Sequence, residues 1–333
     1  MSREKSLAAG LIGNKAKAVS RTALLVGLAL AATATLAQTK VKFGLIGTNE
    51  SQLPIWVAVN EGLFKAEKIE VEPVAFRGGG VAVQALVGGS IDLAAFATDH
   101  VLRLNNRGVQ ARYLIGIDRF ITHILVTPAN KDYKSLKDLR GKKIVVSAPG
   151  SYSDNVLRWT IKDLGLDPDK DFTIIGTGGA TAGRAGLDSG QVDALMTTTP
   201  DIINDELESP GKYRILHDWR DIPHSGQAVV AKKDWIDKNP EVAKGVARAI
   251  YKAEQLIQTD PAATQRGVKK LFPERSDEFV KRLAAVAPKI LSADGKISQP
   301  GFLKMTDILR SVEPDLKPIK QADVDLTDKL LGR

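Results

Sequence analysis

Cysteine is absent from all 333 residues. That excludes disulfides, cysteine-ligated zinc and a cysteine nucleophile. It leaves export to an oxidising compartment open, because a chain of this length buries a core that needs no cross-links. Histidine is scarce, with four, and no two stand at the spacing of a zinc motif. Aromatic side chains make up only 5%, so no set of rings for stacking nucleic-acid bases stands out. Positive charge is in only small excess. Five basic residues and Glu4 fall in the first 37 positions, which leaves about +4 of the formal +8 for the remainder. That balance suits an anionic small ligand and makes no case for nucleic acid. Long apolar runs are missing too. The longest, Thr22–Ala37, is too short and too rich in Ala and Thr for a membrane span. It follows Arg3, Lys5, Lys15, Lys17 and Arg21 and ends with Thr35 and Ala37 before Gln38. Residues 1–37 therefore read as a cleavable secretory signal peptide. No cysteine follows to carry a lipid anchor.

What is present is a strict alternation. VKFGLIG (Val41–Gly47) reads as a strand, Pro54–Glu67 as a helix opened by proline, and Ile69–Phe76 as a strand. A helix over Gly79–Val87, a short strand IDLAAF and a helix closed by Gly108 follow. ARYLIGI and ITHILVTP read as two more strands. The pattern restarts near Lys131, with a strand inside Ser135–Gly150, a helix over Ser151–Leu166, the strand DFTIIGTG, a helix over Ala180–Leu187 and the strand VDALMTT. The last third is helical, with starts at Asn239-Pro240 and Asp260-Pro261. Strands separated by helices of this length predict mainly parallel sheets with right-handed crossovers.

A small phrase is written twice. LVGGSIDLAAF (Leu86–Phe96) and LDSGQVDALM (Leu187–Met196) align at a constant offset of 101 residues, with Gly89 on Gly190 and Asp92 on Asp193. Each follows a glycine-rich turn and a helix. This predicts two lobes of one βαβ architecture, each phrase ending a helix and starting a strand. A generic helix–glycine–strand junction is the alternative. Asp92 and Asp193 are expected to be structural. Two lobes imply a cleft between them, with the chain crossing at Thr127–Lys131 and returning near Asp221–Gln227. The C-terminal helices are expected to pack on the first lobe. In open α/β sheets ligands bind beyond the carboxyl ends of the strands, so the loops there are the ones to inspect.

The order VKFGLIGTNESQLPIWVAVNEGLFKAEKIEVEPV, GGGVAVQALVGGSIDLAAFATD, SLKDLRGKKIVVSAPGSYSDNVLRWTIKDLGLDPDKDFTII and LDSGQVDALMTTTP resembles the solute-binding proteins of ABC importers in the nitrate/sulfonate/taurine group. That group also includes thiamine-precursor and riboflavin binders. The resemblance runs from about Val41 to Lys270. It implies a type II periplasmic-binding-protein fold in the α/β class, with residues 38–128 plus 224–333 as lobe 1 and 129–223 as lobe 2. It also implies a periplasmic, monomeric protein without cofactor, metal or catalytic residues. Such a protein closes by a hinge around a small anionic organic ligand, of sulfonate or carboxylate type. It then delivers that ligand to an inner-membrane permease with its ATPase.

Helix N-termini carry unpaired N–H groups and partial positive charge, and so hold anions. Two are candidates here. One is Arg77-Gly78-Gly79-Gly80, where Gly79 and Gly80 let a ligand approach the backbone. The other is Gly150-Ser151-Tyr152-Ser153, where Ser151, Tyr152 and Ser153 add hydroxyls, though capping alone also explains either serine. The resemblance implies further ligand loops at Thr48, Asn49, Gln52 and Leu53, at Thr98-Asp99-His100, and at Thr197-Thr198-Thr199-Pro200. In the last, the aromatic–acid pair that relatives often carry before the proline is missing, which weakens a taurine assignment. The expected ligand-binding set is thus Asn49, Gln52, Gly79, Gly80, Thr98, Asp99, Ser151, Tyr152, Ser153, Thr198 and Thr199. Ligand contact by Arg77, His100, His123 and His224 stays open. The competing function is an enzyme on the same scaffold, of pyrimidine-synthase or transferase type. It is disfavoured by the missing cysteine and the scattered histidines.

Overall fold

Strand pairing divides the chain into two sheets. The computed structural model describes residues 38–333; the expected signal peptide lies outside them. The strands are β1 (Thr39–Ile46), β2 (Ile69–Phe76), β3 (Leu93–Ala97), β4 (Ala111–Gly116), β5 (His123–Pro128), β6 (Lys143–Val146), β7 (Thr173–Gly176), β8 (Ala194–Thr198), β9 (Tyr213–Asp218) and β10 (Gln227–Lys232). One five-stranded sheet has the order β2-β1-β3-β10-β4, and the other β7-β6-β8-β5-β9. The first three strands of each are parallel, while β10 and β5 run antiparallel to their neighbours. The orders match position for position, although the first sheet takes its antiparallel strand, β10, from beyond the return crossing while the second takes β5 from the start of its own stretch.

The membership of β5 moves the expected crossing. The sequence places it at Thr127–Lys131, but β5 is already hydrogen-bonded to β8 and β9. The chain therefore leaves the first sheet between Gly116 and His123, and it returns between Asp218 and Gln227. An apolar run such as ITHILVTP announces a strand but not its sheet, because membership rests on hydrogen bonds to residues far along the chain. The two crossing segments pair with each other. Ile121 N donates to Ile222 O at 3.0 Å, and His224 N donates to Arg119 O at 3.0 Å.

The longer helices are α1 (Leu53–Asn60), α2 (Gly79–Gly88), α3 (Asp99–Asn106), α4 (Tyr152–Asp163), α5 (Ala180–Asp188), α6 (Thr199–Glu208), α7 (Pro240–Thr259), α8 (Pro261–Leu271), α9 (Asp277–Ile290) and α10 (Gln299–Val312). The single helix expected over Pro54–Glu67 is broken after Asn60. Gly62 adopts φ +69° there, and a separate turn covers Leu63–Ala66. Helices α7, α8 and α9 pack with α1 over the first sheet in the largest core cluster. The C-terminal helices also reach the second half: α9 packs on α6 and α10 on α4. Arg282 pairs with Glu206 at 2.6 Å, and Ile308 joins the core around Tyr152, Val156 and Trp219.

The twice-written phrase has one geometry. Gly89 and Gly190 take φ +77° and +71°, just past α2 and α5. The following Asp closes a two-bond clasp on the first strand of its own sheet. Asp92 Oδ2 accepts from Lys42 N at 2.8 Å, and Asp193 Oδ2 accepts from Lys143 N at 3.0 Å. In return Asp92 N donates to Lys42 O, and Asp193 N to Lys143 O, both at 2.9 Å. Both aspartates are structural. We expect Asp92→Ala to cost about 1 kcal/mol in urea denaturation, the usual worth of one hydrogen bond, and Asp193→Ala, whose Oδ1 also accepts from Tyr133 Oη, about 2 kcal/mol. Ligand affinity should stay unchanged. A stability equal to wild type would show that the clasp carries no weight.

Candidate functional site

The carboxyl ends of six strands open onto one cleft. Three loops come from the first sheet, after β1, β2 and β3, and three from the second, after β6, β7 and β8. The cleft holds about 770 Å³, and Leu271–Arg275 and Phe279 add a wall from the C-terminal helices. That volume suits an organic molecule of modest size.

Two of its helix N-termini begin behind a glycine, which has no side chain to cap them. Helix α2 begins behind Gly78 and α5 behind Gly179, and neither N-cap supplies a side-chain hydrogen bond. The 101-residue offset maps one glycine onto the other, so the halves present the same bare N-terminus to the same cleft. Their first-turn N–H groups are left for a ligand or water. Helix α4 is different. Ser151 Oγ accepts from Asp154 N as the cap. Ser147, Ser151 and Ser153 form a closed ring of hydroxyls, with Oγ–Oγ distances of 2.9, 3.0 and 3.0 Å. Each edge of the ring uses one hydroxyl proton, so an incoming anion must open an edge to be bound by a serine.

Of the expected ligand contacts, Asn49, Gly79, Ser151, Tyr152, Ser153 and Thr198 line the cleft. Five do not. Gln52 is fully buried and donates to Gln227 Oε1 at 2.9 Å, so it stands behind Gln227, which does line the cleft. Gly80 lies within the first turn of α2 and faces away. Thr98 is buried against the return segment, with its Oγ1 2.8 Å from Ser225 Oγ. Asp99 is buried and accepts from Arg103 Nη1 at 2.6 Å and from Asn155 Nδ2 at 2.7 Å. Thr199 donates its backbone N–H to Glu50 Oε1 at 3.3 Å. The loops were located by strand order, but which side chain of a loop turns outward depends on tertiary contacts. Arg77, His100 and His123 line the cleft, whereas His224 lies beneath Tyr152. Gly178–Thr181, Thr122, Ser147, Gln227 and the Leu271–Arg275 wall also line it and were not expected. The offset that pairs Gly78 with Gly179 was a signal for the first of these. Nothing in the sequence marks the C-terminal wall.

The floor is aromatic and uncharged. The Tyr152 ring stacks on His224 at 4.8 Å with 19° between planes, and His123 meets its edge at 4.7 Å. His224 Nδ1 accepts from Gly226 N at 2.8 Å and lies 3.0 Å from Tyr152 Oη. That nitrogen is therefore the acceptor, and Tyr152 donates to it. Burial holds His224 neutral, at about 3. Beside the floor, burial pushes the Glu50 carboxyl up to about 7, and burial lifts Asp118 well above the carboxylate range. Asp118 Oδ2 accepts from Ser51 Oγ and from Gln227 N, both at 2.9 Å, joining the first loop to both crossing segments. Gly226 must be glycine, since at φ +36° a Cβ would overlap the Asp118 side chain. Among the described residues no three His, Cys, Asp or Glu side chains converge as a metal site, and no helix is long and apolar enough to cross a membrane.

The sequence pattern of the NMT1-like family matches residues 34–271. A Brucella abortus protein named as a binding protein is 27% identical over 246 residues, which is 72% of this chain and 75% of that one. Among solved structures, the alkanesulfonate-binding protein SsuA of Xanthomonas axonopodis pv. citri, bound to MOPS, superposes with a TM-score of 0.70. It is 20% identical and covers 85% of this chain and 96% of its own. The periplasmic nitrate-binding protein NrtA of Synechocystis gives a TM-score of 0.67 at 17% identity, over 88% and 87% of the two chains. The two sheets in these strand orders are thus the fold of the periplasmic binding proteins.

The buried imidazole sets a pH dependence. Unfolded His224 titrates near 6.5 and folded His224 near 3, so acidification through that window protonates the unfolded chain first and removes stability. Glu50, raised in the fold, acts in the opposite direction between about 7 and 4.5. Comparison with a His224→Gln variant cancels the Glu50 effect. The variant should be less stable at pH 7, and the gap should narrow by up to about 1.4 kcal/mol per pH unit below pH 6. Parallel stability–pH curves in urea melts would contradict a neutral buried His224.

Proposed function

This chain belongs to the NMT1-like family, and on that premise we propose that it is the periplasmic solute-binding component of an ABC importer. It captures a small anionic organic ligand, of sulfonate or carboxylate type, and delivers it to an inner-membrane permease with its ATPase. The observation that carries this reading is the pair of bare helix N-termini at Gly78 and Gly179, one from each half, opening onto one cleft. Each such terminus favours an anion by about 0.3–1 kcal/mol at an exposed site and up to about 2 when partly buried. Arg77, which lines the cleft without an ion-pair partner among the described residues, adds a full positive charge. The names of relatives point the same way, since they describe binding proteins for sulfonates and nitrate.

The mechanism is closure of the two halves about residues 117–122 and 219–226. These paired segments are the two covalent connections between the sheets. Closure brings the N-termini of α2 and α5 onto opposite ends of the ligand and excludes water, which strengthens each N–H···anion contact.

A thermal-shift panel of methanesulfonate, benzenesulfonate, taurine, benzoate, acetate and nitrate tests the reading, with matched amines as controls. At a hundred times its dissociation constant a ligand adds about 2.7 kcal/mol. We expect at least one organic anion to raise Tm by several degrees and the amines to leave it unchanged. With that anion, Arg77→Ala should weaken binding by about tenfold, a loss of about 1.4 kcal/mol. A shift with the amines alone would rule out the anion reading.

A further inference from the structure

The two equivalent helix N-termini face different side chains. The offset that carries Gly78 to Gly179 carries His100 to Asp201. Both line the cleft. Asp201 is already engaged: it accepts from Thr197 Oγ1 at 2.7 Å and lies 3.7 Å from Arg184 Nη1. His100 is not. Its ring makes no hydrogen bond among the described residues, and the residue is only 8% exposed. It is set directly against the first turn of α2, where a Cβ on Gly79 would overlap its Nε2. Behind the ring, Nδ1 lies 4.0 Å from Asp99 Oδ1. That oxygen is buried and has no hydrogen-bond partner, while Asp99 Oδ2 is taken by Arg103 and Asn155. A spare carboxylate oxygen, an imidazole and a bare helix N-terminus thus stand in line, ending at the cleft.

We propose that His100 is the anion-recognition residue of this cleft and takes up one proton from solvent as the anion binds. In the bound state Nε2–H donates to the anion beside the N–H group of Gly79, and Nδ1–H closes onto Asp99 Oδ1. The inference rests on the binding function proposed above. The step balances as a neutral imidazole, a proton and an anion giving an imidazolium–anion pair. In the empty cleft burial keeps the imidazole below its ordinary value. Asp99 and Glu313 favour its protonation, and Arg103 and Arg107 oppose it. From the other packed elements, Phe96 presents a ring edge at 5.3 Å and Asn155 of α4 contacts the same Asp99. Near that carboxylate stand His224, held neutral, and the phenols of Tyr113 and Tyr152, both pushed up by burial. A bound anion adds the negative charge that tips this balance. The same asymmetry orients the ligand, with its anionic group toward the first half and away from Asp201.

The test is calorimetric titration of the full chain with the tightest-binding anion of the panel above. It is run near pH 7.5 in imidazole, triethanolamine and Tris, cationic buffers that differ in ionisation enthalpy and do not compete for the site. We expect uptake approaching one proton per anion. Affinity should weaken by up to about tenfold per pH unit as pH rises. In His100→Gln the uptake and the pH dependence should both vanish. Nitrogen-15 spectra of the four imidazoles, assigned through the labelled wild-type backbone, decide the matter if that variant does not fold: the His100 ring should become doubly protonated on binding. Binding with no proton uptake, uptake retained in His100→Gln, or a His100 ring that stays neutral when bound would each overturn the role of His100 alone. Failure of every anion to bind wild type would instead withdraw the proposed function, and this inference with it.

Discussion

Strands β5 and β10 hold the molecule to one geometry. Each lies antiparallel in its sheet and is bonded on both edges, and β10 returns to the first sheet only after the chain has built the whole of the second. The second sheet is built from one continuous stretch, β5 to β9, whereas the first stays incomplete until β10 returns to it. The two crossings are therefore obligatory, and they pair with each other between residues 117–122 and 219–226. The buried Asp118 carboxylate completes this joint. It accepts from Gln227 on one crossing while belonging to the other, and from Ser51 in the loop after β1. The carboxyl ends of both parallel strand sets consequently open onto one cleft.

Holding polar groups inside such a joint has an energetic cost. Charged forms are disfavoured there by burial, so Glu50 and Asp118 are shifted toward protonation and His224 away from it. Beside the Arg282–Glu206 ion pair and the apolar seat of Ile308, the contacts between halves include single hydrogen bonds: Thr199 N to Glu50, Asn155 Nδ2 to Asp99, and Tyr152 Oη to His224. Such contacts can be exchanged for others at modest free-energy cost. A tightly interlocked apolar interface could not be rearranged so easily. This is the behaviour that closure about the crossings requires.

Repetition supplies the frame of the cleft and divergence supplies its polarity. Gly78 and Gly179, Gly89 and Gly190, and Asp92 and Asp193 keep the same backbone roles in both halves. Positions 100 and 201 do not: one is an imidazole with a free ring and the other a carboxylate already engaged. The duplicated backbone makes two like sites, and the side chains make them unlike.

The sequence by itself determined the parallel α/β architecture, its doubling at an offset of 101 residues, the structural aspartates and the loops that face the cleft. These depend on short-range periodicity, glycine conformations and strand order, all of which are written locally. It also marked Asn49, Gly79, Ser151, Tyr152, Ser153 and Thr198 in the lining. Only the tertiary structure decided that β5 belongs to the second sheet, because strand membership is settled by partners some seventy residues away. Only the tertiary structure turned Gln52, Thr98, Asp99 and Thr199 inward and His100 outward. Residues adjacent in a loop share one local signal, and their exposure is set by what packs behind them. The wall at Leu271–Arg275 was invisible for the same reason: it reaches the cleft through helix packing, which leaves no pattern in the segment itself.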